Sequence, residues 1–204
     1  MANMRDFVGV RNGGRSGGRR FAAVVALVVL AWAAVPAATV PADDPVVTVD
    51  EVDGTYTVAA AFEVYQTPSF AHAALTDYAH IPRFMPEVQS SQVVERDGDR
   101  AVIAQEIVAR FMLFSKRLHL LLEVREESGA IRFRDRGGRS FARYEGMWTI
   151  AEHGGGTRLT YELTAQPRFD VPAGLLKRLF RRDATQMIAR LTAEIAARAR
   201  NGQR

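Results

Sequence analysis

The chain predicts an α+β domain in two layers: a strongly twisted antiparallel sheet with one long C-terminal helix across its concave apolar face. Three observations predict it. Consecutive runs after Ser90 alternate apolar and polar residues, the period of strands with one wet face. Turn signals such as Asp53-Gly54 and Asp97-Gly98-Asp99 separate the runs. The C-terminal segment carries apolar side chains at spacings of three and four, the period of a helix with one buried stripe.

In chain order, "VVTVDEVDGTYTVAAAFEVY" reads as a strand pair around Asp53-Gly54. "PSFAHAALTDY" reads as a helix with Pro68 in its first turn, where a missing N–H costs nothing. Phe70, Ala74 and Tyr78 would share one face of it. "TDYAHIPRFMPEV", Thr76 to Val88, holds two prolines and the apolar Ile81, Phe84 and Met85. Proline biases its predecessor away from helix, so the stretch reads as neither regular helix nor strand. A loop this apolar is expected to fold back over something apolar.

Strands follow. "SSQVVER" and "AVIAQEIVARFML" flank a hairpin turn. "RLHLLLEV" puts Leu118, Leu120, Leu122 and Val124 on one face, and "AIRFRDR" does the same with Ile131 and Phe133. "FARYEGMWTI" aligns Tyr144, Gly146, Trp148 and Ile150; "GTRLTYELTAQ" aligns Leu159, Tyr161 and Leu163. "GGRS", Gly137 to Ser140, reads as a turn. The closing helix carries the stripe Leu176, Phe180, Ala184, Met187, Leu191 and Ile195.

The N-terminus differs in kind. Residues 1–20 are rich in Gly and Arg, Phe21 to Val35 is uninterruptedly apolar, and Ala37 and Ala42 follow as small residues suited to cleavage. This is the pattern of a secretory signal peptide, or of an anchor if it stays uncleaved. The division is therefore residues 1–42 as leader and short linker, and 43–204 as the domain. The domain is expected in the periplasm or secreted, free or held at the inner membrane.

Charge excludes one class. The chain has 27 basic and 23 acidic residues, and five arginines against Asp6 within residues 1–37 account for the whole excess. The domain itself is neutral, so no nucleic-acid partner is expected. There is no cysteine, hence no disulfide, thiolate metal site or cysteine nucleophile. His72, His80, His119 and His153 lack the spacing of a helical metal pair, so neither metal nor cofactor is expected. Asp77-Tyr78 reads as a helix end closed by Asp on nearby backbone. Glu106 and Arg110 fall on one strand face as a pair. "KRLFRR", Lys177 to Arg182, reads as a solvated helix face, with a transient membrane-surface contact as the alternative.

These residues carry a resemblance. "TDYAHIPRFMPEV", the aromatic-x-Gly-x-Trp strand "YEGMW", "TRLTYELTAQP" and "MIARLTAEIAARA" resemble the polyketide cyclase/START-like (SRPBCC) superfamily, nearest its coenzyme Q-binding branch. The likeness spans residues 57–200 and implies a helix-grip fold with a deep hydrophobic cavity between sheet and helix. It implies a lipid, quinone or polyketide-like ligand; the inward-facing positions are nearly all apolar, so no catalytic residue is expected. The candidate ligand-binding residues are the loop's Phe84 and Met85; Leu118, Leu120, Leu122, Phe133, Tyr144, Trp148, Tyr161 and Leu163 from the strands; and Phe180, Met187 and Leu191 from the helix. Tyr144 and Tyr161 are the polar handles. Ile81, Phe84 and Met85 would cap the cavity, with Pro82 and Pro86 stiffening the loop. The expected function is an exported binder or carrier of a hydrophobic small molecule. The alternatives are a cyclase or aromatase using the same cavity, and an interaction module whose cavity is filled by its own side chains.

Overall fold

The computed structural model describes residues 45–110, 115–170 and 172–202. The leader lies outside the described residues. The eight strands are β1 (Val46–Val52), β2 (Thr55–Val64), β3 (Val88–Asp97), β4 (Arg100–Arg110), β5 (Ser115–Glu127), β6 (Ala130–Asp135), β7 (Phe141–His153) and β8 (Gly156–Pro167). They form one sheet in the order β1-β2-β8-β7-β6-β5-β4-β3, every pair antiparallel. The helices are α1 (Pro68–Leu75), α2 (Ile81–Phe84) and α3 (Ala173–Gly202).

Alternation explains which strand face is buried. Leu118, Leu120, Leu122 and Val124 of β5 are buried, as are Leu159, Tyr161 and Leu163 of β8. Two register shifts in β3, between Val88 and Ser90 and between Val93 and Glu95, and one in β7, between Phe141 and Arg143, bend the sheet locally. In the β6–β7 connection the Asp135 carboxylate accepts from the Gly137 and Gly138 N–H groups at 2.9 and 3.1 Å, so "GGRS" is a turn held by Asp135.

Two local expectations need correction. Helix α1 is capped by Thr67, whose hydroxyl accepts from the Phe70 N–H at 3.3 Å, but it ends at Leu75. Tyr78 therefore leaves the helix face. It sits in a 3₁₀ turn (Tyr78–His80), buried, with its hydroxyl donating to Glu126 at 3.0 Å. The following "IPRF" is helical, not irregular: it forms α2, with Pro82 in the first turn, where no N–H is needed. Pro86 stands just past the C-cap, Met85, where it stops the helix.

Helix α3 makes its close backbone approaches to β1, β2, α1 and α2. Its buried residues are Leu176, Ala184, Ile188, Leu191 and Ile195. Ile188, absent from the stripe read in the sequence, is 2 % exposed. Phe180 and Met187 are only half-buried, because they face the open space between helix and sheet. Ile188→Ala is expected to lower stability by about 3 kcal/mol. A denaturant midpoint shifted at unchanged slope checks it. No helix among the described residues is long and apolar enough to cross a membrane.

Candidate functional site

Between α3 and the concave face of the sheet lies a cavity of about 310 Å³. The volume falls at the lower end of the range for small-molecule sites. The side chains of the domain leave this space between helix and sheet unfilled. All thirteen residues singled out in the sequence line this one cavity: Phe84, Met85, Leu118, Leu120, Leu122, Phe133, Tyr144, Trp148, Tyr161, Leu163, Phe180, Met187 and Leu191. Val58, Ala74, Leu75, Ile103, Ile107 and Ile131 extend the apolar wall.

The strand order builds one aromatic side. Phe133 lies opposite Gly146 in the β6–β7 register, and Trp148 lies opposite Tyr161 in the β7–β8 register. A Cβ on Gly146 would sit 2.6 Å from Phe133 Cζ and 2.2 Å from the Glu162 carbonyl oxygen. Only glycine lets the Phe133 ring lie down on the strand. That ring stacks on Tyr161 at 6.2 Å between centroids, and Trp148 meets Tyr161 at 4.6 Å. Tyr144 packs against Phe141 at 4.8 Å.

The Tyr144 and Tyr161 hydroxyls act on each other inside the cavity. Burial pushes the Tyr144 hydroxyl up to about 12, with Tyr161 opposing and Asp135 adding. Burial and the Tyr144 partner raise Tyr161 further. Both phenols stay protonated at any physiological pH, so this pair donates hydrogen bonds and does not act as a base.

The other end of the cavity is polar, which corrects the expectation of an almost wholly apolar interior. Glu87, Gln105, Asp183, Gln186 and Arg190 line it. Arg190 pairs with Glu87 across 103 residues of sequence. Burial alone would raise the Glu87 carboxyl, but the Arg190 guanidinium outweighs it and holds the group below the usual range. Burial pushes Asp183 up; Arg182 opposes and the Glu87 charge adds. A folded-state value raised above the unfolded one costs stability once the group ionises, and the cost vanishes below the unfolded value. Asp183→Asn is therefore expected to stabilise the protein at about pH 7 and to have no effect at about pH 3. The side chain is 42 % exposed, so the gain should stay below about 1 kcal/mol. Denaturation at the two pH values checks it.

The segment from Asp77 to Glu87 closes over the cavity, with Ile81, Phe84 and Met85 on the wall. Arginines of α3 tie both its ends. Arg198 bonds Asp77 at 2.9 Å and Glu194 at 2.7 Å, and lies 6.0 Å from the centroid of the Phe84 ring. Arg190 holds Glu87. Asp77 thus does not cap backbone, as the sequence suggested; its carboxylate takes Arg198 and, at 2.6 Å, His80. Glu106 does not pair with Arg110 either. It meets Arg117 across the β4–β5 ladder, and the Arg110 carbonyl accepts from Arg182 at 3.2 Å.

The remaining polar candidates lie apart from the cavity. His119 is exposed on β5, and His153 pairs with Glu63 at 3.0 Å. Among the described residues no group of three or more His, Asp or Glu is placed to hold a metal. Lys177, Arg178 and Arg181 face outward from α3.

Gln105 is the residue that sequence reasoning missed although its signal was present: Ile103, Gln105 and Ile107 alternate to the same face. Glu87, Asp183 and Arg190 carry no such signal, because their meeting depends on where α3 crosses the sheet.

The same fold recurs in solved structures. The protein TTHA0849 from Thermus thermophilus superposes with a TM-score of 0.61 at 24 % identity, over 69 % of this chain and 97 % of its own. A STAR-related lipid transfer protein from Xanthomonas axonopodis gives 0.63 at 16 % identity, over 76 % and 94 %. The Zhui aromatase/cyclase from a Streptomyces species gives 0.62 at 12 % identity, over 71 % and 96 %. At these identities the likeness establishes the helix-grip fold. A comparison with curated proteins returns no match. The model of one family, described as polyketide cyclase / dehydrase and lipid transport, matches residues 65–192, which include the segment Asp77 to Glu87, the sheet from β3 onward and most of α3. With more than half of its length matched, the chain belongs to that START-like family of polyketide cyclases and lipid-transport proteins.

Proposed function

We propose that the protein binds and carries a hydrophobic small molecule, a lipid, quinone or polyketide-like compound, in this cavity. The observation that carries the reading is the open space of about 310 Å³ walled by apolar and aromatic side chains. Burying an apolar ligand there gains roughly 25 cal/mol per Å² removed from water. The segment Asp77 to Glu87 acts as the gate, since Phe84 and Met85 belong to the wall and the bonds that tie its ends to α3 are surface-accessible ion pairs. A quinone remains among the candidates through the likeness of "TDYAHIPRFMPEV" to coenzyme Q-binding proteins. The signal-like leader supports a periplasmic or secreted site of action.

The test is mass spectrometry of the protein taken from the envelope of the cells that make it, intact under native conditions and then as an organic extract. A stoichiometric lipid, quinone or terpenoid is expected. A protein that is empty and takes up no apolar probe would overturn the reading.

One observation favours a second reading, cyclase-like catalysis. Asp183 lines the cavity with its carboxyl raised by burial, the kind of group proton transfer requires. Conversion of a polyketide-like substrate that Asp183→Asn abolishes without loss of binding would establish it.

A further inference from the structure

The cavity is polar at two places and apolar between them. The inner place is the Tyr144–Tyr161 pair on β7 and β8. Both side chains line the cavity, and a phenol hydroxyl there can give a hydrogen bond to a ligand oxygen. The outer place takes in Gln105 on β4 and the Glu87–Arg190 pair, which line the same cavity; Glu87 is joined to β4 by the Val108 N–H, which donates to its carbonyl at 2.8 Å. Gln105 points inward from a strand whose neighbours on that face are Ile103 and Ile107, opposite Leu120 of β5. Its amide nitrogen donates to the buried Ser91 hydroxyl at 3.1 Å. The amide oxygen has no hydrogen bond to another described residue, and Gln105 is part of the cavity lining. Arg190 and Glu87 are about one-third exposed, which puts this outer place at the mouth.

The wall between the two comes from β5 and β6: Leu118, Leu120, Leu122 and Phe133, without a polar atom in their side chains. The strand order separates β4 from β7 by three strand spacings, about 14 Å along the sheet. A molecule with one polar end satisfies one place and leaves hydrocarbon against the other, where polar groups lose water without a new partner. We propose that the ligand is an elongated apolar molecule with an oxygen function at each end, the inner one bonded by the Tyr144 hydroxyl and the outer one by Gln105 and Arg190. This inference rests on the binding reading above and specifies its ligand class.

The experiment displaces neutral N-phenylnaphthylamine from the full chain with three probes of equal length: ω-hydroxydodecanoic acid, dodecanoic acid and dodecanol. The two-ended probe is expected to bind about tenfold tighter than either one-ended probe, the value of one hydrogen bond at each end. Tyr144→Phe and Gln105→Leu should each erase that advantage. An unchanged denaturation midpoint reports that the variants are folded. Equal binding of all three probes, or an advantage that survives both substitutions, overturns the two-ended ligand and leaves the carrier reading standing. Failure of the dye and of every probe to bind overturns both.

Discussion

Gly146→Ala is expected to destabilise the domain by about 3 kcal/mol and to collapse the aromatic side of the cavity. The new methyl carbon would meet the Glu162 carbonyl oxygen at 2.2 Å and Phe133 at 2.6 Å. The first is backbone of the neighbouring strand and has no rotamer to change. Relief requires β7 and β8 to separate, or the Phe133 ring to lift off the strand, and overpacking of this kind costs about 1–3 kcal/mol or more. Lifting Phe133 breaks its stacking on Tyr161, so the near-ultraviolet dichroism of the aromatic cluster should fall with the denaturation midpoint. Gly174→Ala is the control. Nothing stands within 4 Å of a Cβ there, and alanine favours helix, so stability should hold or rise by about 0.5–1 kcal/mol. A Gly146→Ala protein within about 0.5 kcal/mol of the parent would show that the Phe133–Gly146 contact is loose and the aromatic wall adaptable.

The wall was legible in the sequence because a strand reports its inward face every second residue. Leu118, Leu120, Leu122, Tyr144, Trp148, Tyr161 and Leu163 all follow from that period, and the long helix follows from its own. Polar chemistry was harder to read. The same period puts Gln105 inside, but Glu106 and Arg110 drew attention to the opposite face by their charge, and there Glu106 takes an ordinary exposed partner, Arg117. Helix α3 shows why one stripe was too narrow. Its Ile188 and Ile195 are buried away from the cavity lining, while Phe180, Ala184, Met187 and Leu191 line the cavity, so two adjacent rows are apolar for two different reasons. The segment Asp77 to Glu87 misled through proline chemistry: proline biases its predecessor away from helix, yet Ile81 is helical here, because Pro82 falls in the first turn of α2, where it is tolerated. The pairs Asp77–Arg198 and Glu87–Arg190 are set by the docking of α3 and leave no local trace in sequence.

Those pairs make the gate testable. Phe84→Asp is expected to weaken uptake of N-phenylnaphthylamine at least about a hundredfold, because a carboxylate at the apolar wall must be dehydrated when the ligand enters. The neutral dye removes direct charge repulsion from the comparison. Stability should change by less than about 1 kcal/mol, since Phe84 is half-buried on a four-residue helix and the Arg198 guanidinium is there to receive the introduced charge. Phe84→Leu keeps an apolar side chain at the same place and should retain uptake. Two outcomes would sink the gate. Unchanged binding by Phe84→Asp means that the ligand passes elsewhere. Loss of fold by Phe84→Asp, with Phe84→Leu intact, means that Phe84 is a packing residue first. If uptake is lost and the fold kept, raising the salt concentration on the parent protein should speed ligand exchange. Screening weakens the Asp77–Arg198 and Glu87–Arg190 pairs in part, since their side chains are 26–32 % exposed, while the apolar contacts of the bound ligand are left in place.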